Sequence, residues 1–276
     1  MKKNKVGTII LNRNLKKITD NLYEKIFRYN KNFTDIYVVD SGSDHKKKSK
    51  YTTWSADWKS AKKKGLRFSR GINYGLFKLY KEGRFKDYEY FLLLTNDSEV
   101  ESKPFIKELV NIMNKIKSIA ILSPCSKKWG ERFLLEKQRL KFFWYIHNNA
   151  YFIRKEFIEL ICKKEKSNYI NFLFDGKNFR GFGADSELIM KAYKNNMSAA
   201  ITSKVWIEEN ENYLLKKSSL IKTDPYDQNL KLYINEGLNW IKKKYNFNNR
   251  WDMHLYVKKH YDIFFKKNKK LKIYKI

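Results

Sequence analysis

The sequence contains little proline, cysteine and histidine, and each shortage argues against a class of protein. Of its 276 residues, 3 are proline and 11 are glycine, which argues against flexible linkers, collagen-like repeats and disorder. Its 2 cysteines, Cys125 and Cys162, lie far apart and outside any CxxC motif, which argues against a disulfide framework and a zinc site. The 4 histidines do not cluster either. We therefore expect a cytoplasmic protein in a reducing compartment.

Long apolar runs are also missing. The first apolar stretch, Val6 to Leu11, is too short for the core of a signal peptide, and no run approaches the roughly 18 apolar residues of a membrane span. Hydrophobic residues nevertheless make up 42% of the chain, with 19 Phe, 19 Tyr and 7 Trp, so a large core is available. The length suits one large α/β domain with a tail, or two small domains.

Acidic residues are scarce relative to basic ones. The chain has 59 Lys and Arg against 29 Asp and Glu, a formal net charge of +30. Such a charge suits nucleic acid, an acidic lipid surface or a polyanionic substrate. The basic residues are mostly lysine and are spread along the whole chain, beside abundant Asn, Ile, Tyr and Phe, as AT-rich codon usage would produce. Because net charge governs solubility and non-specific binding, it selects no function by itself.

The stretch from Tyr90 to Val100 is the most informative in the sequence. The apolar run YFLLL is followed at once by the polar residues TNDSE. A short apolar run is typical of a strand buried on both faces of a parallel sheet. Ligands of open α/β sheets bind outside the carboxyl ends of strands, so we expect Asp97 and Glu99 where a divalent cation and a phosphate are held. The alternative is a polar turn after a core strand.

Two predicted strands precede this one. The first covers residues 6–11 and ends at Asn12, and the second covers residues 36–39 and ends at Asp40 and Ser41. Apolar residues at helical spacing lie between them. Two strands joined by a helix, each with a polar end, form a βαβ unit of the nucleotide-binding kind.

Two segments contain glycines next to polar residues and are predicted to begin helices. In the first, Gly71 and Gly75 let the backbone approach a ligand closely and Asn73 can hydrogen-bond it; a plain helix start is the alternative. In the second, RGFGADSEL, Asp185 and Glu187 fall in or near the first turn, where the helix dipole favours acidic side chains. A simple N-cap is the alternative for Asp185.

The rest of the chain alternates between strands and helices. We predict strands at 119–122, 150–153 and 199–207, and helices after Pro104, at 225–245 and at 252–265. Four apolar residues of the first C-terminal helix are expected to face inward: Leu230, Tyr233, Ile234 and Ile241. The lysine-rich segment 45–64 is interpreted as a variable excursion without chemistry. The predicted fold class is α/β, with a mostly parallel central sheet flanked by helices.

The order of these motifs resembles that of the family-2 glycosyltransferases, especially the bacterial branch that elongates surface polysaccharides. Between Val6 and Glu209 the chain has strand ends Asn-x-Asn and Asp-Ser-Gly-Ser, a Gly-x-Asn-x-Gly segment, the strand end Thr-Asn-Asp-Ser-Glu and a Gly-x-Asp-x-Glu segment. The resemblance implies a nucleotide-sugar-binding A-type catalytic domain over residues 1–212. A helical, basic extension over residues 213–276 would follow it.

The resemblance also implies a donor site and a metal. The donor-binding residues would be Asn12, Asp40, Ser41, Gly71, Asn73 and Asp97. Asp97 would bind Mg²⁺ or Mn²⁺ that bridges the diphosphate of a nucleotide-sugar donor. Thr95 stands where the family has an acid or Asn, and Glu208 or Glu209 where many relatives have a His. The metal would then have few protein ligands, which Mg²⁺ tolerates because phosphates and waters complete its shell.

The resemblance assigns the base and the acceptor site. Asp185 matches the family's catalytic base, with Ala184 before it, and Asn149 would contact a glycan or lipid-linked acceptor. Glu187 is assigned either to other hydroxyls of the acceptor or to a structural role. The base takes the proton of the acceptor hydroxyl while a nucleoside diphosphate leaves. One base and in-line attack imply inversion at the anomeric carbon.

Lipid-linked acceptors are common in that family, and the end of the chain is basic. Phe264 and Phe265 precede the residues KKNKKLK at 266–272. We therefore expect peripheral contact with an anionic membrane through Phe264 to Ile276.

Two alternatives to a glycosyltransferase stay open. A sugar-nucleotide pyrophosphorylase of related fold would be expected to carry a glycine-rich loop after the first strand, but residues 12–14 contain no glycine. A lysine-rich nucleic-acid-binding protein would need charge on one face with aromatic residues interleaved. Here the aromatic residues mostly fall on apolar faces, so we expect no nucleic acid partner.

Overall fold

The computed structural model describes residues 5–135, 138–145, 150–162, 168–210 and 226–276. Within these ranges the strands are β1 (Val6–Asn12), β2 (Thr34–Asp40), β3 (Thr52–Ser55), β4 (Tyr90–Thr95), β5 (Ser98–Val100), β6 (Ile119–Cys125), β7 (Leu140–Phe142), β8 (Ala150–Arg154) and β9 (Ser198–Glu209). The α-helices are α1 (Lys16–Asn30), α2 (Lys59–Lys64), α3 (Arg67–Lys81), α4 (Phe105–Lys115), α5 (Lys155–Ile161), α6 (Ala184–Lys194), α7 (Tyr226–Tyr245) and α8 (Arg250–Lys267).

The strands form one mixed sheet in the order β3-β2-β1-β4-β8-β6-β9-β5, with β7 also against β9. Strands β1 to β4 run parallel. Strand β8 is antiparallel to both β4 and β6, so β6 runs parallel to β4, and β9 is parallel to β6. The carboxyl ends of β1, β2, β4, β6 and β9 therefore lie along one edge of the sheet, which we call the carboxyl edge.

Helices return the chain across the sheet. Helix α3 packs on β1 and β2, α4 on β6 and β9, and α6 on β6, β9 and α8. Helix α6 ends at Lys194, and β9 begins at Ser198 at the opposite edge. The first residues of α6 therefore lie at the carboxyl edge, as do those of α3.

Helix α3 lies close to the sheet because its glycines carry no side chain. A Cβ on Gly71 would come 3.0 Å from a side-chain carbon of Leu11, and one on Gly75 would come 3.0 Å from a side-chain carbon of Val39. The helix begins at Arg67, so the prediction that it starts at the glycine motif is wrong. The close approach expected of these glycines is made to β1 and β2.

The C-terminal helices differ in how they pack. Helix α8 shares the core of the sheet, where its residues Phe264 and Phe265 are each 1% exposed. In α7, Ile241 is completely buried as predicted, but Leu230 and Ile234 are exposed, and that part of the prediction is wrong. Burial of both phenylalanines also corrects the expectation that they contact lipid. None of the described helices is long and apolar enough to cross a membrane.

The α/β fold class with a mostly parallel sheet flanked by helices is confirmed. Strand β4 contains the apolar run that predicted it, and its residues from Tyr90 to Leu94 are buried. Strand β6 continues to Cys125, past its predicted end. The segment 45–64 contains β3 and α2; the interpretation of it as a variable excursion stays a prediction. The division at residue 212 stays a prediction.

Candidate functional site

Asn12, the last residue of β1, joins three strand ends at the carboxyl edge. Its Nδ2 donates to Oδ2 of Asp40, the last residue of β2, at 2.9 Å. Its Oδ1 accepts from Nδ2 of Asn96, just after β4, at 3.4 Å. Asn12 and Asp40 are completely buried. The two side chains therefore fix the spacing of the strand ends.

Ser41 belongs to the same internal network. Its Oγ accepts from the backbone N–H of Leu66 at 2.6 Å, and its carbonyl accepts from Nη1 of Arg13 at 2.6 Å. The Oδ1 of Asp40 accepts from the backbone N–H of Ser43 at 2.9 Å. The structure thus brings the predicted donor residues Asn12, Asp40 and Ser41 together, with their polar side-chain atoms bonded to protein. Their contact with a donor stays a prediction.

Asn73 has a structural role that the sequence did not reveal. Its Oδ1 accepts from the backbone N–H groups of Leu173 and Phe174, each at 2.9 Å, and its Nδ2 donates to the carbonyl of Phe174 at 2.8 Å. The side chain is completely buried. Both ends of the amide hold the loop before α6, and Gly71 packs on β1. The donor-binding assignments of Asn73 and Gly71 stay predictions.

Asp97 lies between β4 and β5 and borders a cleft of roughly 500 Å³ beside α1. Its backbone carbonyl accepts from the N–H of Asn210 at 2.9 Å. Its Oδ1 is buried and has no hydrogen-bond partner among the described residues. Burial raises the pKa of Asp97, although hydrogen bonds from Thr95 and from its own backbone act in the opposite direction. A cation at Oδ1 would stabilise the charged carboxylate.

The environment of Asp97 fits a divalent metal with few protein ligands. Over the parts of the chain that the structure describes, no three His, Cys, Asp or Glu residues converge as a metal cluster would require. Glu208 borders the same cleft, but its carboxylate accepts from the Ser126 hydroxyl and, at 2.8 Å, from the backbone N–H of Lys127. Asp97 would therefore hold Mg²⁺ or Mn²⁺ together with donor phosphates and water.

Asp185 is the second residue of α6 and lies at the carboxyl edge. The N-cap is Gly183, with φ of 79°, so the alternative that Asp185 is only an N-cap is wrong. Burial raises the pKa of Tyr151 most, and the charge of Asp185 raises it further. Tyr151 lies on β8 directly opposite Leu93 of β4. The charge of Asp185 therefore acts on a residue of the strand that pairs with β4, which leads to Asp97.

Glu187 is 1% exposed and joins α6 to other parts of the protein. Its Oε1 accepts from the Tyr245 hydroxyl at 2.5 Å and lies 2.7 Å from Nζ of Lys244. Its Oε2 lies 3.3 Å from Nζ of Lys191. Both oxygens are thus paired inside the protein, which favours the structural alternative for Glu187; its contact with an acceptor stays a prediction. Asn149 lies outside the described residues.

Three arginines near the start of α3 and α6 received no role from the sequence. The guanidinium carbons of Arg67, Arg70 and Arg180 lie 5.8, 4.6 and 5.7 Å from the ring centre of Phe179. The sequence could have drawn attention to these residues, because arginine is rare in it: only 10 of the 59 basic residues are arginine. Arginine binds phosphate through paired N–H groups better than lysine.

The chain is similar in fold to several solved protein structures. No family model and no curated protein sequence matches the chain. S. aureus TarS 1-349 is 13% identical over 87% of this chain and 73% of that one, with a TM-score of 0.52. GalNAc-T7, solved with UDP, GalNAc and Mn²⁺, is 9% identical over 96% of this chain and 57% of that one, with a TM-score of 0.57. The chain has the A-type glycosyltransferase fold.

Two further A-type structures are similar to the chain. TarS 1-349 has also been solved with UDP-GlcNAc, with a TM-score of 0.50 and 14% identity over 87% of this chain and 74% of that one. The mannosyltransferase PcManGT from Pyrobaculum calidifontis, solved with GDP-Man and Mn²⁺, is 12% identical over 72% of this chain, with a TM-score of 0.48. The chain spans 55% of PcManGT and 57% of GalNAc-T7, little more than half the length of each.

Proposed function

We propose that this protein transfers a sugar from a nucleotide-diphosphate donor to a hydroxyl of a glycan or lipid-linked acceptor, with inversion at the anomeric carbon. The observation that carries the proposal is the position of two carboxylates at one edge of an A-type sheet. Asp97 follows the buried central strand and keeps a buried oxygen without a partner among the residues that the structure describes. Asp185 lies at the start of a helix that begins at the same edge.

The donor half of the site would rest on Asp97. A divalent metal bound there offsets negative charge on the departing diphosphate. The buried contact between Asn12 and Asp40 keeps the ends of β1 and β2 in place, so the surface that meets the donor is rigid before the donor arrives. Arg67 and Arg70 add positive charge near the start of α3, which would favour a diphosphate bound there, whereas the charge of Arg180 is paired with Glu236.

The acceptor half would rest on Asp185. Its carboxylate takes the proton of the acceptor hydroxyl as the acceptor oxygen forms a bond to the anomeric carbon. The bond from that carbon to the diphosphate oxygen breaks in the same step, and the electron pair leaves with the nucleoside diphosphate. The partial positive charge at the start of α6 favours the ionised form of Asp185, which a base requires.

We place the reaction in the synthesis of bacterial surface polysaccharide, such as capsule, lipooligosaccharide or O-antigen. The order of the five motifs supports a family-2 enzyme of that branch. Lysines 266, 267, 269, 270 and 272 are exposed near the end of the chain and support peripheral attachment to an anionic membrane that carries a lipid-linked acceptor.

A thermal-shift panel tests the donor. Wild-type protein is heated with UDP-, GDP-, dTDP- and CMP-sugars, each with Mn²⁺, with Mg²⁺ and with chelator. We expect one nucleotide class to raise the melting temperature, and only when metal is present. The free energy of unfolding should then rise by RT ln(1 + [L]/Kd), where [L] is the free nucleotide-sugar concentration. Asp97→Asn should lose this shift. Asp227→Asn, an exposed acid in the first turn of α7, is the matched control and should keep it.

Two results of the panel would overturn the donor assignment. A wild-type protein that no nucleotide sugar stabilises has no donor site of the proposed kind. An Asp97→Asn protein that keeps the full metal-dependent shift places the metal elsewhere.

A further inference from the structure

An aromatic cleft of roughly 420 Å³ lies between the segment after β7 and the first turns of α8. It is lined by Phe143, Trp144, Tyr145, Arg250, Trp251 and His254. Trp251 is 72% exposed, an unusual position for the largest apolar side chain. The rings of Trp144, Tyr145 and Trp251 lie 6.3, 5.1 and 5.8 Å from the His254 ring, centre to centre.

The cleft adjoins the proposed base. Burial raises the pKa of Tyr145; Arg250 lowers it, and the charge of Asp185 raises it. Arg250 donates from Nη2 to the Tyr145 hydroxyl at 3.4 Å, and its guanidinium lies 5.1 Å from the ring centre of Phe182. Phe182 directly precedes Gly183, the N-cap of the helix that carries Asp185. A group bound in the cleft therefore lies close to the residue that would activate an acceptor hydroxyl.

The cleft also contains polar atoms that the described residues leave without partners. Nδ1 of His254 and Nε of Arg250 are buried and make no hydrogen bond within the described part of the chain, and His254 as a whole is only 5% exposed. Leaving a buried polar atom unpaired is unfavourable, so a ligand that supplies the missing partner gains binding energy. Burial, and then the charge of Arg250, lower the pKa of His254 to about 4. The imidazole is therefore neutral near pH 7, and its nitrogens include one donor and one acceptor.

We propose that this cleft binds a sugar ring of the acceptor, so that an adjoining hydroxyl faces Asp185. The proposal rests on the proposed function, because it takes Asp185 as the base. A sugar ring has an apolar C–H face that packs on aromatic rings and a rim of hydroxyls that hydrogen-bond buried polar atoms. The exposed ring of Trp251 and the unpaired nitrogens of His254 and Arg250 match these two parts. The donor diphosphate is assigned to Asp97, which does not line this cleft.

Saturation-transfer NMR with methyl glycosides tests the cleft directly. The probes are methyl glucoside, galactoside, mannoside and N-acetylglucosaminide at millimolar concentration, in the absence of nucleotide. We expect at least one probe to receive saturation from wild-type protein and a signal at least fivefold weaker from Trp251→Ala. Phe27→Ala is the control, because Phe27 is a 50% exposed aromatic residue on α1; its signal should equal that of wild type.

A second variant separates hydrogen bonding from stacking. His254→Phe keeps a ring and removes both nitrogens, so it should fold normally and still weaken the sugar signal severalfold. Equal signals from wild type and Trp251→Ala, or no signal from any probe, would overturn the proposal. A nucleotide that binds wild type and is lost in Trp251→Ala would also overturn it, because the cleft would then be part of the donor site.

The two proposals fail in different ways. A metal-dependent donor shift without any sugar signal rejects the cleft and leaves the glycosyltransferase assignment intact. A sugar signal that depends on Trp251, in a protein that no nucleotide sugar stabilises, rejects the glycosyltransferase assignment and with it the acceptor role of the cleft.

Discussion

Nζ of Lys244 lies 2.7 Å from Oε1 of Glu187 and 2.5 Å from Oδ2 of Asp175. One ammonium group therefore joins helix α7 both to α6 and to the loop that precedes it. Burial opposes the charge on Lys244, but the two carboxylates outweigh it and raise the pKa of the ammonium. The helix that carries Asp185 is held in place by this contact.

Replacing Glu187 by Gln should lower stability and leave donor binding intact. The change leaves Lys244 and Lys191 short of a buried partner, and we expect a loss of about 1–3 kcal/mol in the free energy of unfolding. The pKa of Lys244 is raised in the folded protein. The ammonium group therefore contributes its full stabilisation below pH 10.5, the ordinary pKa of lysine, and loses it as the pH rises through the pKa of Lys244 in the folded protein. Urea unfolding at pH 7 and above pH 10 measures both effects.

Glu156→Gln is the control for that measurement. Glu156 is exposed on α5, so its loss should change stability by less than about 0.5 kcal/mol. A Glu187→Gln protein as stable as this control would contradict a structural role.

Replacing Asp185 by Asn should remove turnover while the fold and donor binding remain. Asn fits the same position at the start of α6 but cannot accept a proton from the acceptor. We expect the turnover number to fall by roughly 10²-fold or more, with an unchanged melting temperature and unchanged nucleotide-dependent thermal shift. If Asp185→Asn turns over at the wild-type rate while Glu187→Gln is inactive and folded, the base has been assigned to the wrong carboxylate.

Replacing Asp97 by Asn should stabilise the metal-free protein even as it removes metal-dependent donor binding. Burial raises the pKa of Asp97 above its ordinary 3.8, so the folded state disfavours the charged form. The stability of wild type relative to Asp97→Asn is therefore greatest below pH 3.8. It falls as the pH rises through the pKa that Asp97 has in the folded protein. Near pH 7 we expect the variant to be more stable, by about 1–3 kcal/mol.

Unfolding in chelator across pH 3 to 8 measures this difference. If the free energies of unfolding of wild type and Asp97→Asn differ by the same amount at every pH, the Asp97 carboxylate is not destabilised by burial.

Replacing Asn73 by Ala should loosen the loop before α6. The change leaves three buried backbone groups of Leu173 and Phe174 without partners, and we expect a loss of about 2 kcal/mol or more. Asn111→Ala, at an exposed position on α4, is the matched control. Hydrogen exchange of the backbone N–H groups of Leu173 and Phe174 should accelerate only in Asn73→Ala. Unchanged protection of these two groups would show that the Asn73 side chain does not hold the loop.

The chain's own sequence was sufficient for the fold because the decisive signals are local. A buried run such as residues 90–94 and the polar residues that follow each strand need no distant partner to be recognised. The structural roles of Asn73 and Glu187 depend on partners 101 and 58 residues away, and a single sequence carries no record of such pairs. The sequence therefore indicated a ligand contact for Asn73 and left Glu187 open between the acceptor and a structural role, whereas both side chains bond to protein.

The basic end of the chain should bind anionic vesicles through lysines alone. Phe264 and Phe265 are buried, so truncation would damage the core, and charge removal is the appropriate test. Changing Lys266, Lys267, Lys269 and Lys270 to Gln should remove about 1 kcal/mol of membrane affinity per lysine. Co-sedimentation with phosphatidylserine vesicles at 50 and 300 mM salt measures the loss.

The control for the vesicle experiment changes the same number of exposed lysines elsewhere. Lys59, Lys62, Lys63 and Lys64 are exposed on α2. Equal loss of vesicle binding in the two sets would mean that attraction is spread over the whole basic surface.

The packing of α8 has a consequence for how the protein is made. Phe142 on β7 contacts Phe264, Phe265 and Tyr274, with ring centres 6.1, 6.0 and 5.2 Å away. A ribosome synthesises these three rings more than a hundred residues after Phe142. Strands β1 to β4 can pair while synthesis continues, but the half of the sheet under α6 stays uncovered until residue 274 has emerged. The nascent chain can therefore form the half of the sheet that leads to Asp97 first, and it exposes apolar surface beside α6 until residues 264 to 274 have emerged.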